Sequence, residues 1–435
     1  MSVTIRSTFV NSQQPALFGD PERPDAADRS SFGQFVRTFR WNGRTTTVSS
    51  LDLTDNGCHH DIDTYTNEFW TSRQRAAHSL HEISYRACFK PHLPRFFIEC
   101  LTVPGDIVYD PFAGRGTTPL EAALLNRVPF SCDVSPLSAI LLRPRLFAPT
   151  AQDVVKRLSE IDLDTRVDIP DELLVFYHPR TLSHLCRLRE YLIDRESHGH
   201  LDAVDAWIRM VAVNRLTGHS PGFFSVYTLP PNQALSVESQ RKINAERQQT
   251  PPPRDVRRLI AAKTQALLRD CDHVTRRQLE RVAQQGCLLN RGCHSTPEIE
   301  DKTVALVVTS PPFLDVVDYA SDNWLRCWFC AVDPDSVQLT ILKKIEEWQR
   351  AMRAVFSELG RVLKSGGHVA FEVGEVRGGR VRLEEFVVPA AIDAGLRPRC
   401  VLVNSQQFTK TANIWGVSNN RKGTNTNRIV VLQAV

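Results

Sequence analysis

No apolar run in the 435 residues approaches the roughly 18 needed to cross a bilayer. The opening residues, MSVTIRSTFVNSQQ, lack the charged-then-apolar pattern of a secretory leader. No membrane association is therefore expected, and the expected compartment is cytoplasmic. Metal-ligand spacing is equally scarce. Eleven cysteines, an odd number, are scattered from Cys58 to Cys400. Only Cys327-x-x-Cys330 has ligand spacing, and it lies in the apolar stretch Trp324–Phe329 with no second pair beside it. Buried, reduced helical thiols are expected there, and no metal. Strong charge is missing too: a formal +4 is mild, so only its distribution bears on partners. With 42% apolar and 23% charged residues, composition favours neither disorder nor membrane insertion. The length suits roughly two to three domains.

Two further absences sharpen the strongest signal present, Asp110-Pro111-Phe112-Ala113-Gly114-Arg115-Gly116-Thr117-Thr118. Ile107-Val108-Tyr109 upstream reads as a buried strand behind the turn Pro104-Gly105-Asp106, and Pro119–Leu125 downstream reads as a helix. A strand, a Gly-rich turn and a helix N-terminus bring free N–H groups and a positive dipole to a ligand, with Gly114 and Gly116 permitting close backbone approach. A dinucleotide fingerprint needs a third glycine where this chain has Pro119, and a P-loop needs Gly-Lys-Ser/Thr, which is absent. What remains is the polar end of a nucleoside cofactor.

The nine residues resemble the Asp-Pro-Phe-x-Gly-x-Gly-Thr-Thr motif of S-adenosylmethionine-dependent amino-methyltransferases acting on DNA. The resemblance implies a Rossmann-like α/β class I methyltransferase fold: a seven-stranded, mostly parallel sheet with helices on both faces. It assigns cofactor binding to Asp110, Pro111, Phe112, Ala113, Gly114, Gly116, Thr117 and Thr118. In that family a segment about twenty residues upstream packs against the cofactor's methionine moiety. Lys90 and Pro91 stand at that place, although a plain loop into a helix Leu93–Leu101 fits as well. Val128–Asp133 reads as a second strand ending in an acid 23 residues beyond Asp110, close to the spacing of a ribose-binding carboxylate. The alternative for Asp133 is a turn before Ser135-Pro136.

Along the chain, residues 1–60 form an N-terminal extension, partly disordered, with a hairpin expected over Phe32–Val48 around Asn42-Gly43. Residues 61–147 form the cofactor half of the catalytic domain, with an interrupted amphipathic helical region over Glu68–Leu101. Residues 148–285 then break the strand–helix alternation. Leu182–Ile193, Ala203–Leu216 and Val256–Leu268 have helical apolar spacing, so a largely helical insert is expected. From Arg180 to Arg281 there are 17 Lys/Arg against 11 Asp/Glu. Arg241, Lys242, Arg247, Arg254, Arg257 and Arg258 are therefore candidates for tracking phosphates, against a merely solvated helical face.

The alternation resumes in residues 286–435, the target-base half. Cys287–Asn290 is a third strand, followed by Arg291-Gly292-Cys293-His294, which offers no acid for an adenine amino group. Val304–Val308 is a fully apolar run typical of a central parallel strand. It ends in Thr309-Ser310-Pro311-Pro312-Phe313. Ligands sit at strand carboxyl ends in open α/β sheets, and the two prolines stiffen the turn. Ser310 Oγ and the Pro311 carbonyl can accept the hydrogens of an exocyclic amine, and Phe313 offers a face for an extruded base. Trp348–Leu363 reads as a helix stopped at Gly366-Gly367, His368–Val373 as a fifth strand, Leu383–Ala394 as a helix, and Cys400–Asn404 and Arg428–Leu432 as the last strands. Between these two lies a polar loop holding Lys410, Arg421 and Lys422, either a DNA-closing element or a solvated hairpin.

In the amino-methyltransferases, Ser-Pro-Pro-Tyr/Phe goes mostly with cytosine N4, and Asp- or Asn-Pro-Pro-Tyr with adenine N6. The resemblance covers roughly residues 75–147 and 286–433. It implies transfer of a methyl group from S-adenosylmethionine to N4 of a flipped cytosine in double-stranded DNA, with Ser310, Pro311, Pro312 and Phe313 catalytic. A Pro-Cys dipeptide, which carries the nucleophile of cytosine-C5 enzymes, is absent, as is a Pro-Asp…Glu-x-Lys nuclease motif. Any cognate restriction endonuclease would be a separate partner. Adenine N6, RNA, or a non-catalytic DNA-binding subunit remain alternatives, and oligomeric state is not indicated.

Overall fold

The computed structural model of the chain describes residues 32–41, 43–55, 57–70, 77–86, 88–229, 234–312, 319–334, 337, 344–373, 375–376, 381–405 and 426–435. Nine strands make one sheet: β1 (Thr47–Asp55), β2 (Cys58–Asn67), β3 (Ile107–Asp110), β4 (Val128–Asp133), β5 (Cys287–Asn290), β6 (Val304–Thr309), β7 (Leu363–Val373), β8 (Leu396–Ser405) and β9 (Thr426–Ala434). Their spatial order is β1-β2-β8-β9-β7-β6-β3-β4-β5. From β7 through β6, β3 and β4 to β5 every pairing is parallel, while β9 runs antiparallel to both β7 and β8.

The helices are α1 (Phe32–Thr38), α2 (His92–Leu101), α3 (Thr117–Leu124), α4 (Pro136–Leu146), α5 (Ala151–Glu160), α6 (Pro179–Ser197) and α7 (Ala203–Val213). They continue as α8 (Val237–Glu246), α9 (Val256–Leu267), α10 (His273–Ala283), α11 (Tyr319–Cys330), α12 (Ile345–Val362) and α13 (Glu384–Asp393).

Successive side chains of a strand point to opposite faces, and the sheet buries both. Val307, Val369, Val401 and Val430 pack with Phe356, Leu359 and Val388 of α12 and α13. Leu306, Ala370, Leu402 and Ile429 pack with Phe35 of α1 and Phe96, Phe97 and Leu101 of α2. All six residues of β6 are buried, which is why it reads as an unbroken apolar run.

The seven expected strands are present, and two more extend the sheet. β1 and β2 pair antiparallel, and β2 adds in parallel to β8. The boundary expected at residue 60 falls inside this hairpin. Its strands carry Ser, Thr and Asp on an exposed edge, so they lack the apolar density of the inner strands. Three other expectations need correction. Phe32–Thr38 is a helix, and only Arg40–Trp41 pairs with Arg44–Thr45. Among the described residues of Glu68–Leu101, helical structure is confined to a 3-10 turn, Ser79–His81, and α2. Gly366-Gly367 lies within β7, not at a helix stop, because α12 ends at Val362.

The insert forms one helical body with α4 and α11, packed on Trp207, Phe176, Leu182, Leu185 and Ile260. Its helices start where short polar side chains cap free N–H groups: Thr150 for α5, Asp202 for α7, Ser236 for α8, Asp255 for α9 and Asp272 for α10. The fully buried Asp205 takes bonds from Arg157, Arg195 and Tyr191, locking α5, α6 and α7 together. Cys327 and Cys330 are buried in α11, and no group of metal-ligating side chains occurs among the described residues. No described helix is long and apolar enough to cross a membrane.

Candidate active site

β3 and β6 are parallel neighbours, and each ends in one of the two motif turns. The turns are tied to each other. Thr309 Oγ1 donates to Asp110 Oδ1 at 2.6 Å, and Phe112 N donates to the same oxygen at 3.1 Å. Thr118 Oγ1 donates to the carbonyl of Val308 at 3.0 Å. Asp110 is 1% exposed, and burial pushes its carboxyl up to about 7 against the stabilising bonds from Thr309 and Phe112. It is thus turned inward, joining the two turns.

The glycines divide their work. Gly116 has φ +77°, and a Cβ there would stand 2.7 Å from Leu142 of α4, so its role is a tight turn with close helix packing. Gly114 has φ +52°, and a Cβ there would meet only Cε1 of Tyr85, at 3.8 Å. Gly114 is therefore the one that leaves backbone open to a ligand. Its N–H donates to Asp133 Oδ2 at 2.7 Å, and Ser135 N donates to Oδ1 at 2.9 Å. Burial raises the Asp133 carboxyl, opposed by these two bonds. Each oxygen keeps a lone pair for a hydroxyl donor, so the end of β4 suits a ribose. An S-adenosyl group fits this arrangement: an open glycine backbone, an acceptor for hydroxyls, and a positive helix end.

Sequence spacing alone missed Arg115, which is 3% exposed. Its Nε donates to Thr117 Oγ1 at 3.1 Å and its Nη1 to the Ile83 carbonyl at 2.7 Å, while its Nη2 lies 3.5 Å from the Phe89 carbonyl. It thereby draws the segment before α2, with Lys90 and Pro91, against the Gly-rich turn. Burial, then the nearby Arg115, lowers the Lys90 ammonium. Pro111 and Ala113 are buried, and Ala113 N is bonded to the Cys132 carbonyl at 3.1 Å.

On the target side, Ser310 is half-buried, Pro311 buried and Pro312 exposed. Trp348 Nε1 donates to the Pro312 carbonyl at 3.0 Å, anchoring the turn on α12. The register of β6 on β7 sets Ser310 beside Glu372 at the end of β7, where its hydroxyl helps hold the Glu372 carboxyl down, a neighbour nothing in the sequence pattern signalled. Phe313 lies outside the described residues.

The basic candidates of the insert separate. Arg241, Arg247 and Arg258 are exposed; Lys242 is exposed but paired to Glu238 at 2.7 Å, and the Arg247 guanidinium lies 3.8 Å from the Tyr227 ring centroid. Arg257 donates to the carbonyls of Leu158 and Ile161 at 3.0 and 2.8 Å, closing the end of α5. Arg254 is half-buried, its backbone N–H bonded to Thr181 at 2.8 Å. Lys410, Arg421 and Lys422 lie outside the described residues.

Residues 41–137 match the N6/N4 family model described as DNA methylase. The type II methyltransferase M.BsoBI of Geobacillus stearothermophilus is 23% identical over 352 residues, 73% of this chain and 64% of that protein. The chain thus spans a little under two thirds of that relative's length. Among solved structures, TrmN from Thermus thermophilus is 12% identical, with 82% of this chain and 52% of that chain covered and a TM-score of 0.32. A second Thermus thermophilus protein, TTHA0409, assigned as a DNA modification methylase and solved with S-adenosyl-L-methionine, is 18% identical over 31% of this chain and 49% of that one, with a TM-score of 0.20. The α/β methyltransferase fold is established here by the strand order and the parallel core.

Proposed function

We propose that this chain, a distant member of the N6/N4 DNA methylase family, transfers a methyl group from S-adenosylmethionine to an exocyclic amine of a base in DNA, and that the base is cytosine, at N4. The observation that carries this reading is the pairing of two turns. A glycine turn suited to a nucleoside and a Ser-Pro-Pro turn rich in acceptors stand at the ends of adjacent parallel strands, joined by Thr309–Asp110.

When bound, the cofactor supplies an electrophilic methyl. The protein supplies placement. Gly114 and Asp133 hold the nucleoside, and Arg115 fixes the flanking segment. Ser310 Oγ and the Pro311 carbonyl accept the amine's hydrogens and orient its nitrogen for in-line attack. Fixing two reactants in an attack geometry removes much of the barrier without any covalent intermediate. The base must leave the duplex to reach this edge of the sheet. Cytosine is favoured by the Ser at position 310, and a cognate endonuclease is a natural partner for such an activity. The exposed Arg241, Lys242, Arg247 and Arg258 belong to this reading as phosphate contacts.

Mass spectrometry of nucleosides from DNA of cells expressing the chain tests the proposal. N4-methyldeoxycytidine is expected, and it should fall by about 100-fold or more in Ser310→Ala. N6-methyldeoxyadenosine would keep the fold and transfer the target to adenine. Modified DNA in Ser310→Ala at the wild-type level would remove Ser310 from catalysis.

A further inference from the structure

Ser310 has a hydroxyl with one proton and two lone pairs, so its role depends on where that proton goes. If it points at the target amine, Ser310 competes for the nitrogen lone pair that must attack. Accepting the amine's hydrogens requires the proton to be engaged elsewhere. The fold provides the place. Thr309 of β6 stands opposite Phe371 of β7, which sets Ser310 beside Glu372. Glu372 is 8% exposed, and its Oε1 takes the Asn427 amide from β9, on the far side of β7. Its partners among the described residues, Ser310 and Asn427, are both uncharged.

Resting on the methyl-transfer reading above, we propose that Glu372 is a positioning residue that acts through Ser310: its carboxylate takes the Ser310 proton, leaves the serine lone pairs facing the target amine, and receives the proton that the reaction releases. As the amine nitrogen bonds to the methyl carbon, the carbon–sulfur bond breaks and its electron pair stays on sulfur. The nitrogen becomes cationic and sheds a proton to Ser310 Oγ while the Ser310 proton passes to Glu372. The proton then exchanges with water. Asn427 keeps the carboxylate aimed at Ser310 throughout.

Only the ionised carboxylate can do this, since a protonated Glu372 would itself donate to Ser310. Burial pushes Glu372 up to about 7, opposed by the bonds from Asn427 and Ser310, so its ionisation falls within the working pH range. The charged or titratable groups on its own and the flanking strands are Lys364, paired to Asp106 at 3.2 Å, His368, buried on β7, and Arg428, paired to Glu384 at 2.7 Å; Asp110 lies one strand further, reached through Thr309. Asp110 is pushed into the same range, so the limb is assigned to Glu372 by its loss in Glu372→Gln and its return in Glu372→Asp.

The experiment measures labelled methyl transfer to unmethylated bacterial genomic DNA at saturating S-adenosylmethionine, from pH 5.5 to 9, with cofactor affinity followed in parallel. Wild type should speed up as pH rises through about 7 and then level off. Glu372→Gln should bind cofactor as wild type does, lose about 100-fold in rate, and lose the acidic limb. Glu372→Asp, which keeps a carboxylate, should restore the limb at an intermediate rate and guards against a folding artefact in the first variant. Transfer by Glu372→Gln with the wild-type limb, or no limb in Glu372→Asp, would overturn the role of Glu372 alone. No transfer by wild type to DNA would overturn the methyl-transfer reading beneath it.

Discussion

The two turns at the centre of the sheet are built in opposite ways. In the cofactor turn almost every polar side chain is spent on the protein itself: Asp110 on Thr309 and Phe112, Arg115 on Ile83 and Thr117, Thr118 on Val308, Asp133 on Gly114 and Ser135. In the Ser310 turn the two prolines bring no donors, one carbonyl is tied to Trp348, and the serine stands beside the Glu372 carboxylate. The first turn fixes a backbone shape against which a ligand rests. The second is poor in donors of its own, as suits a turn proposed to accept the hydrogens of a substrate amine. A binding surface gains from internal bonding, whereas a site that must accept hydrogens from a substrate gains from having donors removed.

The comparison breaks most visibly at Arg115. Arg115→Ala should lower stability by about 3 kcal/mol, because the buried Ile83 carbonyl loses its donor and a void opens beside Thr117. Cofactor affinity should fall with it, since Lys90 and Pro91 are no longer drawn to the turn. Thermal unfolding and equilibrium cofactor binding measure both effects. Turnover by the surviving folded enzyme at saturating cofactor should stay near wild type. A variant of normal stability and cofactor affinity but poor turnover would erase the division between the two turns.

A second contrast lies inside the cofactor turn. Gly116→Ala puts a Cβ 2.7 Å from Leu142 in a left-handed backbone and should cost about 2 kcal/mol, with the melting temperature falling accordingly. Gly114→Ala meets nothing closer than 3.8 Å, so only the backbone cost of about 1 kcal/mol applies. Its larger effect should be on cofactor affinity. Equal stability losses with equal affinity losses would mean that the two glycines do the same job.

The same contrast explains what the sequence made legible. The inner parallel strands β3, β4, β6 and β7 show themselves as apolar runs, because a strand covered on both faces has little polar alternation. The hairpin of β1 and β2 did not, because Thr47–Ser50 is exposed and the apolar side is carried by few residues such as Leu51, Ile62 and Tyr65. Both site turns were visible as motifs, since Gly and Pro mark backbone shapes directly. Arg115 sits in plain view between two glycines, yet the carbonyls it binds, of Ile83 and Phe89, lie more than 25 residues away in sequence. Glu372 was hidden more deeply. HVAFEV reads as an ordinary strand, and only the register of β7 against β6 brings its acid to Ser310.

The smallest expected effect is the pH dependence of stability, where the groups of the site act against one at the sheet's periphery. Asp110 and Glu372 are both pushed up to about 7 by burial, above the usual carboxylate range. The folded protein therefore holds their protons more tightly than the unfolded chain does. Their contribution to stability is full below about pH 4 and is lost progressively as pH rises through 7. Glu358 behaves oppositely: its bonds to Arg361 and Thr296 hold it down to about 2. Its contribution is present above about pH 4.5 and is lost as pH falls through 2. Asp110→Asn should flatten the decline between pH 4 and 7 without altering the acid side, and Glu358→Gln should do the reverse. Melting temperatures of the two variants across pH 2.5 to 8 decide it. A decline above pH 4 that is unchanged in Asp110→Asn would mean that Asp110 is ionised at neutral pH, with Thr309 and Phe112 holding a carboxylate.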